Sequence, residues 1–205
     1  FYLIEKFNAD SALIGTILAS YTLTALLTRP FSGFMVDYFA RKPLLVTCYI
    51  LFVGFFAGYI VAGTLVFFAI LRATHGFSFG MVTVSNSTMA IDVMPASKRN
   101  IGIGYYGLST NIAMALSPTL ALFLHDHYGD YNYIFLCSLL TGTFGLICVT
   151  LIKAPQKITS AGEPISLDRF FLVKGIPAGI NIALFSFIYG IMSTYVAIYG
   201  EQEVH

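Results

Sequence analysis

Residues 43–71, PLLVTCYILFVGFFAGYIVAGTLVFFAIL, form a run of 29 residues without a charged side chain. A membrane crossing needs about 20 apolar residues at about 1.5 Å each, so this run is too long for one span. Ala62, Gly63 and Thr64 supply a turn. One helix is therefore expected to end near Ala62 and the next to start near Thr64. Working outward, five more charge-free runs of 18 to 26 residues appear at 11–28, 73–91, 100–125, 131–152 and 175–200. Each meets the roughly 18-residue length at which a span is read. The pattern predicts an all-α polytopic transmembrane helix bundle with six spans in this chain. Arg29 falls at the end of the first span, and Arg72 lies inside the third.

Composition agrees with this solvent. Hydrophobic residues make up 57% of the chain and charged residues only 10%, against roughly 25% charged in soluble domains. A chain this apolar cannot cover its surface for water, so a soluble globule is excluded. A net charge of +1 offers no basic excess for a nucleic-acid backbone. Cys48, Cys137 and Cys148 all fall inside predicted spans, where they read as small packing residues. No cofactor-binding pattern is present, and no Gly-rich loop followed by Lys-Ser or Lys-Thr suggests a nucleotide.

Lysine and arginine in short loops set the orientation of a bundle. Arg41 and Lys42 follow the first span, Lys98 and Arg99 the third, and Lys153, Lys157 and Arg169 the fifth, with Lys174 entering the sixth. The intervening loops carry no Lys or Arg. Loops 37–42, 92–100 and 153–174 are therefore expected on the cytoplasmic side of a cell (inner or plasma) membrane, with both chain ends outside. A chain that opens outside at Phe1, without methionine, reads as a segment of a longer protein. Residues 153–169, rich in proline, small and charged residues, read as the linker, and Met94-Pro95 as the stop of the third helix.

The most specific segment is Gly33-Phe-Met-Val-Asp37-Tyr-Phe-Ala-Arg41-Lys42. Gly33 and Asp37 share a helix face, and a glycine there lets another helix approach closely. Asp37 sits at a helix C-terminus, where the macrodipole disfavours an anion by roughly 0.3–1 kcal/mol. It therefore invites a compensating partner, a solvated loop aspartate being the alternative. This segment resembles the loop signature of the major facilitator superfamily, Gly-x-x-x-Asp-basic-x-Gly-basic-basic. Gly33, Asp37, Arg41 and Lys42 match, whereas Tyr38 and Ala40 depart from it. The resemblance implies that the chain covers helices two to seven of twelve. Residues 1–152 would then be part of an N-terminal six-helix half lacking its first helix, 153–169 the linker, and 170–205 the first helix of the second half. It also implies that Asp37 helps to latch the two halves and gate alternating access, in partnership with the remainder of the protein's own chain.

Arg72-Ala-Thr-His75-Gly76-Phe-Ser78-Phe-Gly80 is the second signal. An intramembrane guanidinium costs at least about 2.5–3.5 kcal/mol and should face a cavity or partner, unless it snorkels outward from a shallow depth. Gly76 and Gly80 lie on its helix face. The stretch resembles the family's helix-four signature, which implies a role for Arg72 in proton coupling or binding. His75, one turn away, is either a titrating group or a packing histidine. Gly76-x-Ser78-x-Gly80 also spells the nucleophile elbow of hydrolases, but that motif needs a strand-to-helix turn. An intramembrane serine protease is the residual enzymatic alternative; the chain is not expected to be an enzyme. His125-Asp126-His127 with Asp130 lacks a placed third ligand, so no metal site is assigned. Tyr21 with Thr24, Asn111 with Pro118, and Asn181 with Tyr189 and Ser193 are polar stripes that could line a solute pathway.

The function the resemblance implies is a secondary active transporter that moves a small solute across the lipid bilayer by alternating access, driven by a proton gradient or by the solute's own gradient. Its solute would be a sugar, another small polar molecule or an efflux substrate. A non-transporting scaffold or receptor of the same fold is the alternative.

Overall fold

The computed structural model describes the backbone of residues 2–153 and 175–203, and their side chains except at 11, 189, 190 and 193–203. The chain divides into two compact units, Phe1–Glu163 and Pro164–His205. Among the described residues the first holds six α-helices: α1 (Tyr2–Phe7), α2 (Ser11–Tyr38), α3 (Arg41–Ile60), α4 (Leu65–Val93), α5 (Arg99–Tyr128) and α6 (Asn132–Leu151), and the second holds α7 (Ile176–Glu203). No strand occurs among the described residues, and α2 to α6 are each long and apolar enough to cross a membrane. Within the sixth run, Ile176–Ile188 is an apolar helical stretch.

The helix ends follow local chemistry. Asp10 caps α2 by accepting from the Leu13 amide at 2.7 Å, and Thr64 caps α4 through the Phe67 amide at 3.3 Å. Thus the turn inside the 29-residue run runs from Val61 to Thr64, one helix ending at Ile60 and the next beginning at Leu65. Met94 is extended, with ψ of 131°, and ends α4 before Pro95. Gly129 closes α5 in the left-handed conformation, φ 67°, a position where a Cβ is penalised.

The first span reaches past its charge-free run: α2 continues through Arg29 and Pro30 to Tyr38, so that Asp37 lies in its last turn, at the helix C-terminus where it was expected. A charge limits the hydrocarbon-buried part of a helix, not the helix itself, and Ser32 and Thr28 keep their hydroxyls bonded to α2 carbonyls. The short α1 was not expected. Its Tyr2 and Phe7 rings pack against Phe68, and Tyr2 also meets Tyr131 and Phe135. Burial first, then the hydrogen bond to Glu5 and its charge, push the Tyr131 phenol up to about 12. The phenol therefore donates to Glu5, at 2.7 Å.

Packing in the first unit centres on α4, which lies against both α2 and α3, while α3 also packs on α6. Two buried clusters result. One gathers Ile17, Tyr59, Ala62 and Phe68 near the α3–α4 turn; the other gathers Leu45, Cys48, Met81, Met89 and Val149 toward the opposite end. Helix α5 has no buried residue. Its large apolar side chains, Ile112, Leu116 and Leu120 among them, are exposed as they would be to lipid or to other helices.

Candidate functional site

Two polar constellations lie in the first unit, one at its basic end and one within the membrane-length part of α4. At the basic end, Asp37 occupies the last turn of α2 and Arg41 opens α3, 3.7 Å apart. A third residue joins them from the end of α4: Asp92 pairs directly with Arg41. The Arg41 side chain is only 14% exposed and Asp92 23%, whereas Asp37 is 73% exposed. Arg41 thereby ties the ends of α2, α3 and α4 into one electrostatic unit, and the inner partner is Asp92. The sequence reading missed Asp92. The available signal was an anion one turn before Met94-Pro95, at a helix C-terminus, the same argument that singled out Asp37.

Lys42, next in the motif, is used differently. Its ammonium donates to the carbonyls of Thr150 and Ile152 at 2.7 and 2.8 Å, capping the C-terminus of α6. Gly33 makes no close approach within this unit: a Cβ there would meet nothing within 4 Å among the described residues. Gly76 and Gly80 do have that role. A Cβ on Gly76 would collide with the Tyr21 carbonyl and the Thr24 hydroxyl, and one on Gly80 would lie 2.8 Å from the Ala25 carbonyl. These two glycines let α4 sit on α2, close enough for Thr24 Oγ1 to donate across to the Ala73 carbonyl at 2.7 Å.

The seam they create sets the second constellation. Arg72 lies seven residues into α4 from Leu65, about 10 Å along the helix axis. Its guanidinium sits over the Tyr21 ring, 4.4 Å from the centroid, a cation–π contact strengthened where water is scarce. No carboxylate lies within ion-pair distance of Arg72 among the described residues. His75 is 1% exposed and bonds Tyr59 Oη through Nδ1 at 2.8 Å. The rings of Phe52, Phe55 and Phe56 close around it at 4.7, 5.2 and 5.0 Å between centroids. Tyr21, expected to line a pathway, is brought against Arg72 and His75. Tyr59 was missed because it is an unremarkable aromatic in an apolar run, and its partners lie on the next helix.

The remaining expectations separate. Ser78 donates to the His75 carbonyl at 2.9 Å inside its own helix, so Gly76-x-Ser78-x-Gly80 is a continuous helix and not an elbow. His125 stacks on Tyr131 at 4.2 Å, His127 stacks on Phe123, and Asp130 bonds the Asn132 amide. No group of three metal-ligating side chains occurs among the described residues. Asn111 is exposed on α5. Pro118 is inside that helix, next to Ser117, which lines a cavity of about 320 Å³ with Ala113, Cys137, Ser138 and Thr141. Asn181 is exposed on α7, while the side chains of Tyr189 and Ser193 and the whole of 154–174 lie outside the described residues.

Comparison with known proteins gives a consistent picture. The family model described as Major Facilitator Superfamily matches residues 1–205. Quinolone resistance protein NorA of Staphylococcus aureus (strain MRSA252) is 24% identical over 93% of this chain and 52% of its own length. The staphylopine export protein of Staphylococcus aureus (strain Mu50 / ATCC 700699) is 25% identical over 94% of this chain and 50% of its own. An uncharacterized MFS-type transporter of Bacillus subtilis (strain 168), YcnB, is 26% identical over 58% of this chain. The chain spans about half the length of the first two relatives.

Proposed function

Since this chain belongs to the Major Facilitator Superfamily, we propose that the protein it forms part of is a secondary transporter, not an enzyme. It exports a small organic solute across the plasma membrane by alternating access, coupled to protons. The observation that carries this reading is Arg72, a guanidinium held at membrane depth on the Tyr21 ring, with no carboxylate in ion-pair distance among the described residues. An intramembrane cation of this kind marks a solute or ion pathway by default. Export, among the solute classes the sequence leaves open, is favoured by the relatives' names: one confers quinolone resistance and one exports staphylopine.

In this reading the basic loops face the cytoplasm, residues 1–152 contribute to the first half of the transporter, and 170–205 begin the second. The Asp37–Arg41–Asp92 unit tunes the balance between inward- and outward-facing states. Arg72 places a positive charge on the pathway; that charge biases the titration of an acidic group supplied by the rest of the protein, and with it the solute's affinity.

The test uses the complete parent protein in proteoliposomes loaded with a pH-sensitive dye and challenged with quinolones, sugars and amino acids. A solute-dependent pH change that Arg72→Ala abolishes and Arg72→Lys partly restores is the expected result. Absence of any solute movement overturns the transporter reading. An unaltered pH dependence in Arg72→Ala overturns the coupling role alone.

A further inference from the structure

Arg29 closes a charge-free run in the sequence, but in the structure its helix runs on for nine more residues to Tyr38. Because α2 is 28 residues long, Arg29 stands only about 7 Å past its middle. A hydrocarbon core of about 30 Å centred on α2 holds Arg29 and leaves Asp10 and Asp37 outside. Side chains on a helix lean toward its N-terminus, so Arg29 leans away from the nearer, basic end. Snorkelling to that interface would carry the guanidinium about 8 Å against the lean. The side chain is exposed and has no ion pair, hydrogen bond or cation–π contact among the described residues.

Thr22 lies two turns earlier on the same line of α2 and is also exposed. Its hydroxyl behaves unlike its neighbours. Thr16, Ser20, Thr24, Thr28 and Ser32 all return theirs to carbonyls of α2, and Thr22 bonds nothing among the described residues. A threonine facing lipid folds its hydroxyl onto the preceding turn, because hydrocarbon offers no other acceptor. At Gly33, one turn beyond Arg29, a Cβ would meet nothing within 4 Å, so the line stays open. The exposed apolar line Leu23, Leu27 and Phe31 runs along roughly the opposite side of the helix. Acidic side chains described in the first unit stand on α1, in loops or at helix ends. Its interior therefore carries two guanidiniums, Arg29 and Arg72, and no anion among the described residues.

We propose that the Thr22–Arg29 line of α2 faces the solute pathway and that Arg29 binds a carboxylate of the exported solute. The substrate class is then an organic acid and not a lipophilic cation. A guanidinium meets a carboxylate through two parallel N–H···O bonds, and the pairing relieves the cost of an unpaired intramembrane charge. The assignment of the carboxylate to the solute rests on the transporter reading above; the depth of Arg29 and the open hydroxyl of Thr22 do not.

The experiment uses the complete parent protein, freed of native cysteines, in nanodiscs open to water on both faces. Thr22→Cys and Leu27→Cys are compared with a water-soluble maleimide, which reacts with the thiolate that forms only where water reaches. Both positions are exposed on α2, so the difference reads the medium: Thr22→Cys should label and Leu27→Cys should not. A quinolone carboxylic acid should slow Thr22→Cys labelling saturably, and the methyl ester of the same compound should not. Adding Arg29→Gln should raise the half-protecting concentration of the acid about tenfold or more, and Arg29→Lys, which keeps the charge, should raise it less. Preferential labelling of Leu27→Cys, absence of protection by the acid, or protection indifferent to Arg29→Gln overturns the proposal. Equal protection by acid and ester overturns it too, since the guanidinium would then be held by a carboxylate of the parent chain. Labelling reads the wetness of this face whether or not solute moves. A protein that labels as expected yet transports nothing in proteoliposomes therefore loses the transporter reading and keeps the wet face.

Discussion

Gly76 and Gly80 work by absence. At Gly76 the obstacles are a backbone carbonyl and a hydroxyl already engaged across the seam, so neither can yield cheaply. Overpacking of this kind costs about 1–3 kcal/mol. Gly76→Ala should therefore destabilise the protein most and Gly80→Ala less, because its nearest obstacle stands at 2.8 Å. Gly54→Ala, where a Cβ would meet nothing within 4 Å, should be neutral or stabilising by up to about 1 kcal/mol through helix propensity. Unfolding midpoints of the three variants in mixed micelles check the order, and an equal loss at Gly54 and Gly76 would sink the explanation. The four-residue spacing made these glycines visible in the sequence as one helix face. It did not say which helix they admit, since the Thr24–Ala73 bond joins residues 49 apart and no local period encodes it.

Helix termini carry the charge chemistry of the first unit. The ends of α2 and α4 each place an aspartate where the helix dipole is unfavourable, and Arg41 at the start of α3 answers both. The two pairs differ in solvation, so their energies should differ. Double-mutant cycles on the full protein should give a coupling of about 1–3 kcal/mol for Arg41 with Asp92. For Arg41 with the far more exposed Asp37, about 0.2–1 kcal/mol is expected. Equal couplings, or a larger one at Asp37, would show that Asp92 is not the inner partner. The motif reading reached Asp37, Arg41 and Lys42 because they are contiguous on the chain. Asp92 and the α6 carbonyls that Lys42 caps are distant in sequence and become neighbours only when three helices converge.

Across the whole first unit, helix order and alternation of the loops follow from its five charge-free runs, because a bilayer leaves the backbone few alternatives to helices. Orientation rests on a different physical term, the retention of lysine and arginine on the cytoplasmic side. Arg41, Lys42, Lys98, Arg99 and Lys153 lie at one end of the bundle, while the last turn of α5 and the loop after it contribute Asp126 and Asp130 at the other. The two ends can be distinguished chemically. In a full-length background with Cys48, Cys137 and Cys148 replaced, Ser97→Cys places a thiol in the exposed turn Ala96–Lys98. Asp126→Cys places one in the exposed last turn of α5, at a side chain with no hydrogen-bond partner among the described residues. In intact cells, a membrane-impermeant maleimide should label Asp126→Cys and spare Ser97→Cys until the membrane is opened. The reverse pattern would invert the topology, and with it the assignment of the Asp37–Arg41–Asp92 unit to the cytoplasmic gate. Labelling of both from outside would mean that the turn between α4 and α5 crosses with the solute pathway open. In that case the Ser97→Cys reaction should slow when the transporter is locked outward-closed.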